Sequence, residues 1–187
     1  MRKAAGMSVT TKAFFSVMFK IMITEKEIYE ALCHVHDPEI PVLNVMDLGM
    51  ITGVGVTGDG IWVKMIPTFA ACPAVDFIRK EIREELEKRL SVSVRVERDP
   101  SVRWNSNRLS ERAHEKLRHF KIAPPEKLSP DAEGNHTWQM EMLTGVECPH
   151  CGSGNTYLRS PFGSTLCRAL HYCKDCGHVF EHFKPME

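Results

Sequence analysis

Apolar residues recur with a helical period in three stretches of the chain, and the first stretch has clear signals at both ends. Thr24 and Glu27 form a Thr-x-x-Glu capping box at its start. The helix must end before Pro38, because a proline disfavours helical geometry in the residue before it and removes a backbone donor. Its apolar positions share one helical face: Ile28, Ala31, Leu32 and Val35.

Two more helices are predicted from the same kind of pattern. The second begins at Pro73, because proline suits the first helical position, and its buried stripe is Val75, Ile78, Ile82, Leu86 and Leu90. The third is shorter. Ser110 caps it, Pro124-Pro125 closes it, and its apolar positions are Ala113, Leu117 and Phe120.

The segments between these helices have the residue composition and alternation typical of β-strands. Residues 50–56 and 61–66 are rich in β-branched and aromatic residues and flank Gly58-Asp59-Gly60, which indicates a hairpin. Val92, Val94 and Val96 alternate with polar residues, as in a half-buried strand. The order helix, strand, strand, helix, strand, helix predicts an α+β domain over residues 24–122, with helices packed on a small sheet.

The carboxyl-terminal part carries two Cys-x-x-Cys pairs, Cys148 with Cys151 and Cys173 with Cys176, each followed by glycine. Glycine allows the positive φ that turns backbone amides toward thiolate sulfurs, and four thiolates suit a tetrahedral metal site. A module of about forty residues buries too little apolar surface to fold alone. We therefore predict a zinc-ribbon-like module over residues 148–187, joined by a linker over 123–147. Iron on the same sulfurs stays open, and Cys167 is left over as a spare thiol.

Charge and composition narrow the function classes. The 187 residues are 43% hydrophobic, and 24 Lys plus Arg balance 24 Asp plus Glu, so we expect neither a nucleic-acid nor a membrane partner. Residues 1–23 carry four basic and no acidic side chains, but their apolar run is too short for a signal peptide; we expect a loosely ordered extension. Cysteines spaced as metal ligands fit a reducing, cytoplasmic location.

Cys72 is the sharpest chemical candidate in the first domain. It stands where a loop enters the second predicted helix, and the positive amino end of a helix favours thiolate, hence a nucleophile or a soft-metal ligand. The alternative is a small cysteine that only packs in the turn. On the residues alone, Asp37, Glu39 and Asp47 are more typical of loop caps than of catalytic acids. With no Ser-His-Asp set or phosphate-binding glycine loop, the sequence does not by itself indicate an enzyme.

Several motifs carry a family resemblance. Asp37-Pro38-Glu39-Ile40-Pro41, Asp47-Leu48-Gly49 and residues 67–74 resemble the iron-sulfur-assembly domain of SufT and of some Mrp-type cluster carriers. Residues 109–113 and 162–170, together with the two cysteine pairs, are similar to the PaaD (PaaJ) family of bacterial phenylacetate degradation. The resemblance spans nearly everything from Thr24 onward. It departs at the end, where Pro185 stands in place of a terminal cysteine.

The resemblance implies an accessory component of the multicomponent oxygenase that epoxidises the ring of phenylacetyl-CoA. Such a protein is expected to have oxygenase subunits as partners and to assemble or insert the iron-sulfur cluster of the iron-sulfur flavin reductase, without a catalytic residue of its own. Cys72 would then bind iron or a cluster transiently, and the supporting loop residues would be Asp37, Glu39, Asp47 and Thr68.

Three alternatives to this function stay open at the level of sequence. The protein could be a structural subunit of the oxygenase without cluster chemistry, or a thiol-redox enzyme that uses Cys72 with Cys167. A nucleic-acid-binding zinc ribbon is disfavoured by the neutral charge. Whether the chain forms a homodimer is also left open.

Overall fold

The computed structural model describes residues 23–69, 72–129 and 143–185. The extension predicted over residues 1–23 lies outside these ranges except for Ile23, as does the middle of the predicted linker. Within the described ranges, no helix has the length and apolar character needed to cross a membrane.

The observed elements confirm the α+β class and the predicted order. Three α-helices, one short 3-10 helix and seven strands follow one another along the described chain. They are α1 (Glu25–Leu32), β1 (Ile51–Thr57), β2 (Gly60–Met65), α2 (Val75–Leu90), β3 (Val94–Arg98), the 3-10 helix (Ser106–Arg108), α3 (Glu111–His119), β4 (Ile122–Ala123), β5 (Thr156–Ser160), β6 (Arg168–Cys173) and β7 (Val179–Phe183).

The helix caps explain where these helices begin. The capping box of Thr24 and Glu27 is present at α1, and the Ser110 hydroxyl accepts a hydrogen bond from the Ala113 amide at α3. Helix α2 differs from the prediction, because it begins at Val75 with Ala74 as its N-cap. Pro73 instead lies in the turn that leads into the helix, so the predicted start was two residues early.

The first sheet has the strand order β1-β2-β3. β1 and β2 form the antiparallel hairpin, and β3 lies parallel to β2 after the crossover through α2. The hairpin requires glycine at position 60, where φ is +148° and a Cβ atom would lie 2.2 Å from the Ser93 carbonyl oxygen. Ile78, Ile82 and Leu86 of α2 are fully buried and contribute to the core.

The second sheet has the order β4-β7-β6-β5, and it joins the two halves of the chain. β5, β6 and β7 are antiparallel neighbours and form the ribbon. β4 directly follows α3 and pairs in parallel with β7, with Ile122 opposite Glu181. The amino-terminal half therefore supplies an edge strand to the ribbon sheet.

The two sheets differ greatly in the size of their apolar cores. The main cluster fills the space between the helices and the first sheet and also includes Phe183 of β7. The ribbon has a much smaller cluster of its own: Ala123, Val146, Cys148, Cys173 and Phe180. Since two of these five are candidate metal ligands, apolar burial alone gives the ribbon little stability.

Candidate metal centres

The four paired cysteines of the ribbon converge on one point. Their sulfur atoms all lie within 4.8 Å of one another. The Sγ atoms of Cys148 and Cys176 are 3.7 Å apart, and those of Cys151 and Cys173 are 3.6 Å apart. A tetrahedral zinc ion with Zn–S bonds of about 2.3 Å has sulfur atoms about 3.8 Å apart. The donor set and its spacing therefore fit a closed tetrahedral metal site.

Two similar turns place these sulfurs, as the glycines predicted. Gly152 and Gly177 have φ of +76° and +75°, and their amides donate to the carbonyls of Cys148 and Cys173, respectively. A left-handed residue at this point turns the chain back and leaves the amides of the turn facing the sulfurs.

The amides of Cys176 and Asp175 lower the pKa of Cys173 to about 7, whereas, against the lowering effect of the Ser153 amide, the other three thiols raise the pKa of Cys151 to about 12. The four thiols therefore do not all ionise together at neutral pH, and a bound cation would displace the remaining protons.

Side chains next to the cysteines hold the two turns together. Asp175 accepts hydrogen bonds from the hydroxyl of Ser153 at 2.5 Å and the side-chain amide of Asn155 at 2.7 Å. His150 and His178 stack with their ring centroids 4.3 Å apart. These contacts link the first turn to the second at points other than the four sulfurs.

The second candidate centre surrounds Cys72. Its thiol lies at the entrance to α2, where the backbone amides of Ala74 and Val75 point toward it. It borders a small cavity of about 20 Å³ that is lined by Asp37, Glu39, Ile40, Leu48, Thr68, Phe69, Cys72, Pro73, Leu166, Cys167 and Phe183. Four of the five residues to which the resemblance assigns this site, Cys72, Asp37, Glu39 and Thr68, thus meet at one cavity.

The electrostatics of Cys72 differ from the sequence expectation. Burial raises the pKa of the Cys72 thiol; the amides of Ala74 and Val75 act in the opposite direction, and the carboxylates of Glu39 and Asp37 raise it further. The helix amino end therefore does favour thiolate, as expected, but desolvation outweighs it. At neutral pH the free thiol keeps its proton, and a bound cation is needed to displace it.

Asp47 lies elsewhere. Its carboxylate accepts a hydrogen bond from the Asn44 amide at 3.2 Å and forms an ion pair with Lys116 of α3. Asp47 therefore connects the loop before β1 to a distant helix, and the cavity lining does not include it. Asp37 lines the cavity and also stabilises its own loop. Its Oδ1 atom accepts hydrogen bonds from the backbone amides of Glu39 and Ile40, at 2.8 Å each.

Cys167 lines the same cavity as Cys72, the cysteine with which the thiol-redox alternative paired it. It belongs to the ribbon loop, residues 161–167, which connects β5 to β6. The only local signal was that it remained after the four paired cysteines had been assigned. Its contact with the Cys72 cavity depends on how the ribbon packs on the first sheet, which has no local sequence pattern.

Comparison with protein families divides the chain into two matches. Residues 25–97 match the family described as iron-sulfur cluster assembly protein. Residues 133–184 match the PaaD zinc beta ribbon domain. The first match contains Asp37, Glu39, Asp47, Thr68 and Cys72, and the second contains all four paired cysteines and Cys167.

Known proteins are similar to most of this chain or to a part of it. A putative 1,2-phenylacetyl-CoA epoxidase subunit of Escherichia coli K12 is 36% identical over 160 residues, which cover 84% of this chain and 91% of that protein. An Fe-S protein maturation auxiliary factor of Porphyromonas gingivalis W83 is 42% identical over 92 residues, 48% of this chain and 87% of its own. A DUF59 crystal structure from Bacillus anthracis aligns with 56% of this chain and 96% of its own, at 21% identity and a TM-score of 0.47. With an assembly domain, a zinc ribbon and 36% identity along most of its length, the chain belongs to the PaaD family, together with that Escherichia coli protein.

Proposed function

We propose that this protein is an accessory factor of the phenylacetyl-CoA ring-epoxidising oxygenase and delivers iron or an iron-sulfur cluster to its reductase component. The named function of the Escherichia coli relative and that of the maturation factor from Porphyromonas gingivalis both support such a role. In this proposal the delivered iron is cargo, and Cys72 is the residue that holds it.

The meeting of Cys72, Asp37, Glu39 and Thr68 at one cavity is the observation that carries the proposal. The thiol provides a soft ligand and the two carboxylates provide negative charge, which together attract a cationic cargo. The thiol is partly buried and its pKa is raised, so it keeps its proton at neutral pH and is less readily oxidised than a thiolate. Thiolate ligands exchange on iron, which suits delivery better than storage.

The four-cysteine site has a different task in this proposal. Four thiolates close the coordination sphere of a zinc ion, so that ion is structural and takes no part in delivery. We propose that it stabilises residues 148–187 as a ribbon module, while residues 24–122 form the assembly domain and 123–147 connect the two. The ribbon then carries the surface that binds the oxygenase.

Anaerobic coexpression with the reductase tests this function. We expect wild-type protein and Cys33→Ser to yield reductase with its full iron and sulfide content, because Cys33 is exposed and does not line the cavity. Cys72→Ser should keep its zinc and its fold but yield reductase deficient in cluster. Full cluster content with Cys72→Ser would remove the proposal.

A structural subunit of the oxygenase is the second candidate, and one feature of the ribbon favours it. Large apolar side chains are exposed on β5 and on the ribbon loop: Tyr157 at 45%, Phe162 at 62% and Leu166 at 43%. Phe162 and Leu166 share the ribbon loop, and large apolar groups exposed on one loop are a candidate protein-binding surface. Copurification at fixed stoichiometry that Phe162→Ser abolishes, with oxygenase activity indifferent to Cys72→Ser, would favour this second function.

Two further features of the proposal concern setting and assembly. We propose that the protein works in the reducing cytoplasm, where thiol ligands stay reduced. A homodimer that brings two Cys72 cavities together remains compatible with delivery of a cluster, and sedimentation of iron-loaded and iron-free protein distinguishes it from a monomer.

A further inference from the structure

A second and much larger space on the assembly domain adjoins the Cys72 cavity. It is a groove of about 550 Å³ between the end of β2 and the segment that follows β3. Two residues, Thr68 and Phe69, line both this groove and the cavity. We call it the arginine groove and define it by Thr68, Phe69, Arg98, Asp99, Arg103 and Trp104.

The groove carries two cations that the protein itself does not pair. Arg98 and Arg103 are exposed, and among the described residues neither guanidinium group forms an ion pair or a hydrogen bond. Arg95 on the same strand as Arg98 differs, because it pairs with Glu97 at 2.6 Å. A guanidinium group can bind a carboxylate through two parallel hydrogen bonds. Two unpaired guanidinium groups in one groove therefore favour a negatively charged partner.

The carboxylate of Asp99 also lines the groove, but its oxygens are bound within its own surroundings. Oδ1 accepts a hydrogen bond from the Ser101 amide at 3.0 Å, and Oδ2 accepts one from the Thr52 hydroxyl at 2.8 Å. The hydroxyls of Ser101 and Thr52 lower the pKa of Asp99. Neutral donors thus hold this negative charge, and the two arginines leave the groove with a net positive charge.

The inner wall of the groove is continuous with the wall of the Cys72 cavity. Trp104 is almost fully buried and packs against Phe183, which lines the cavity. The Trp104 indole nitrogen donates to the carbonyl of Leu48, which also lines the cavity. A segment bound in the groove would therefore lie against residues that also enclose Cys72.

The groove and the cavity have opposite charges. The carboxylates of Asp37 and Glu39 line the cavity, whereas Arg98 and Arg103 line the groove. A cationic cargo is attracted to the cavity, while an acidic partner is attracted to the groove and repelled from the cavity. This arrangement places an acidic partner beside Cys72 and leaves the thiol itself accessible to the cargo.

The walls of the groove favour a protein segment as its occupant. Ile66 and Trp104 form buried apolar wall, and Val102 is only partly buried. Apolar surface combined with arginine is typical of protein interfaces. A small anion is usually bound by several polar groups that converge on one point. Nucleic acid requires a broad basic surface, whereas the 24 basic residues of this chain are balanced by 24 acidic ones.

We propose that the arginine groove binds an acidic segment of the protein that receives the cargo from Cys72, with Arg98 and Arg103 pairing with carboxylates of that segment. This inference rests on the proposed function, which names the reductase as the receiving protein. It adds a contact on the assembly domain to the binding surface of the ribbon, and this contact aligns the receiving protein with Cys72.

Anaerobic titration calorimetry with purified, cluster-free reductase and the full-length, zinc-loaded protein tests the groove. We expect Arg98→Ser and Arg103→Ser each to weaken binding roughly 10-fold, and the double variant to weaken it further. Arg83→Ser removes the same charge from an exposed position of α2 outside the groove and should bind as the wild type does. The affinity should fall with added salt more steeply for the wild type than for the double variant.

Hydrogen exchange of the complex locates the contact on both proteins. We expect slower exchange in residues 98–104 of this chain and in a reductase segment that contains Asp or Glu. Unchanged affinity of the folded double variant, absence of binding by the wild type, or protection of a reductase segment without acidic residues would overturn the inference. Displacement of the reductase by inorganic phosphate or by a single-stranded oligonucleotide, at constant ionic strength, would assign the groove to another ligand and also overturn it.

The outcomes separate this inference from the proposed function. Circular dichroism and zinc content show whether the arginine variants are folded. If the double variant binds the reductase normally while Cys72→Ser leaves it without cluster, the inference fails and the proposed function stands. If the arginine variants bind weakly but Cys72→Ser yields reductase with normal cluster, the groove stands as a docking site and the delivery function fails.

Discussion

Phe183 of the last ribbon strand packs against Trp104 of the assembly domain, with the ring centroids 6.2 Å apart and the planes tilted by 51°. Both side chains are almost fully buried, and both belong to the main apolar core. The Trp104 indole nitrogen also donates to the Leu48 carbonyl at 2.7 Å, and both Leu48 and Phe183 line the Cys72 cavity. One aromatic contact therefore links ribbon packing to the shape of the cavity.

Phe183→Ala should weaken the packing of the ribbon against the main apolar core. Truncation of a buried phenylalanine typically costs about 3–5 kcal/mol, and here the lost contacts are those that hold the ribbon to the main core. We expect urea denaturation to show a lower free energy of unfolding and a ribbon that unfolds before the assembly domain. Val179→Ala on the same strand is the matched control, since Val179 is 41% exposed. A cost for Phe183→Ala no larger than for Val179→Ala would contradict the interpretation.

Removal of the ribbon metal should unfold the ribbon selectively. Its own apolar cluster is small, and structural zinc contributes about 10–16 kcal/mol of apparent binding free energy to such modules. After chelation, or in Cys151→Ser, we expect hydrogen exchange to accelerate in β5, β6 and β7 while α2 stays protected. Cys33→Ser should keep both its zinc and its protection. A ribbon that stays protected without metal would show that its packing on the core is sufficient.

Asp47→Asn should lower stability without impairing iron binding. The Asp47 side chain is buried and pairs with Lys116, whose own side chain is only 23% exposed. The variant therefore leaves a partly buried ammonium group without its counterion. We expect a loss of roughly 1–3 kcal/mol in the free energy of unfolding. Glu30→Gln removes the exposed pair with Lys26 and should cost less than about 0.5 kcal/mol. Loss of Fe(II) binding in folded Asp47→Asn would instead place Asp47 in the metal site.

Two buried histidines should make the protein sensitive to mild acid. Burial lowers the pKa of His182 to about 3 and that of His171 to about 4. In the unfolded chain they titrate near 6.5, so the unfolded state binds more protons below this pH. The two neutral histidines therefore contribute fully to the free energy of unfolding above about pH 6.5. This contribution falls as the pH decreases toward 4, by roughly 2 kcal/mol per histidine at pH 5.

Denaturation of the zinc-loaded protein between pH 7.5 and 5 measures this slope, with zinc content followed at each pH. His182→Phe should flatten the slope, whereas His119→Gln at an exposed position should not change it. An unaltered slope in folded His182→Phe would mean that other groups, including the ribbon thiols, determine the acid sensitivity.

Local sequence signals predicted most of the individual elements. The capping box at Thr24, the stripe of Ile78, Ile82 and Leu86, and the two Cys-x-x-Cys-Gly turns each depend on residues a few positions apart, and all are observed. Helix α2 was predicted two residues early, because Pro73 suits both a first helical position and the preceding turn.

Long-range relationships could not be read from the sequence. Arg168 reaches the Glu39 carbonyl across 129 positions, and Lys116 reaches Asp47 across 69. Neither pair has a periodicity or a spacing that marks it. For the same reason the sequence named Cys167 only as the redox partner of Cys72 in one alternative and gave no local sign that the two line one cavity. It also overestimated how strongly the helix amino end lowers the pKa of Cys72, because the burial of Cys72 depends on the tertiary packing.

The most direct test of the account is transfer of iron from the purified protein to its acceptor. Zinc-loaded protein carrying isotopically labelled iron is mixed anaerobically with cluster-free reductase and a sulfide source, and the label on the reductase is followed together with its cluster absorption. The account predicts rapid transfer from wild-type protein and Cys33→Ser but not from Cys72→Ser. Equal transfer from all three, or transfer no faster than from free ferrous iron, would contradict it.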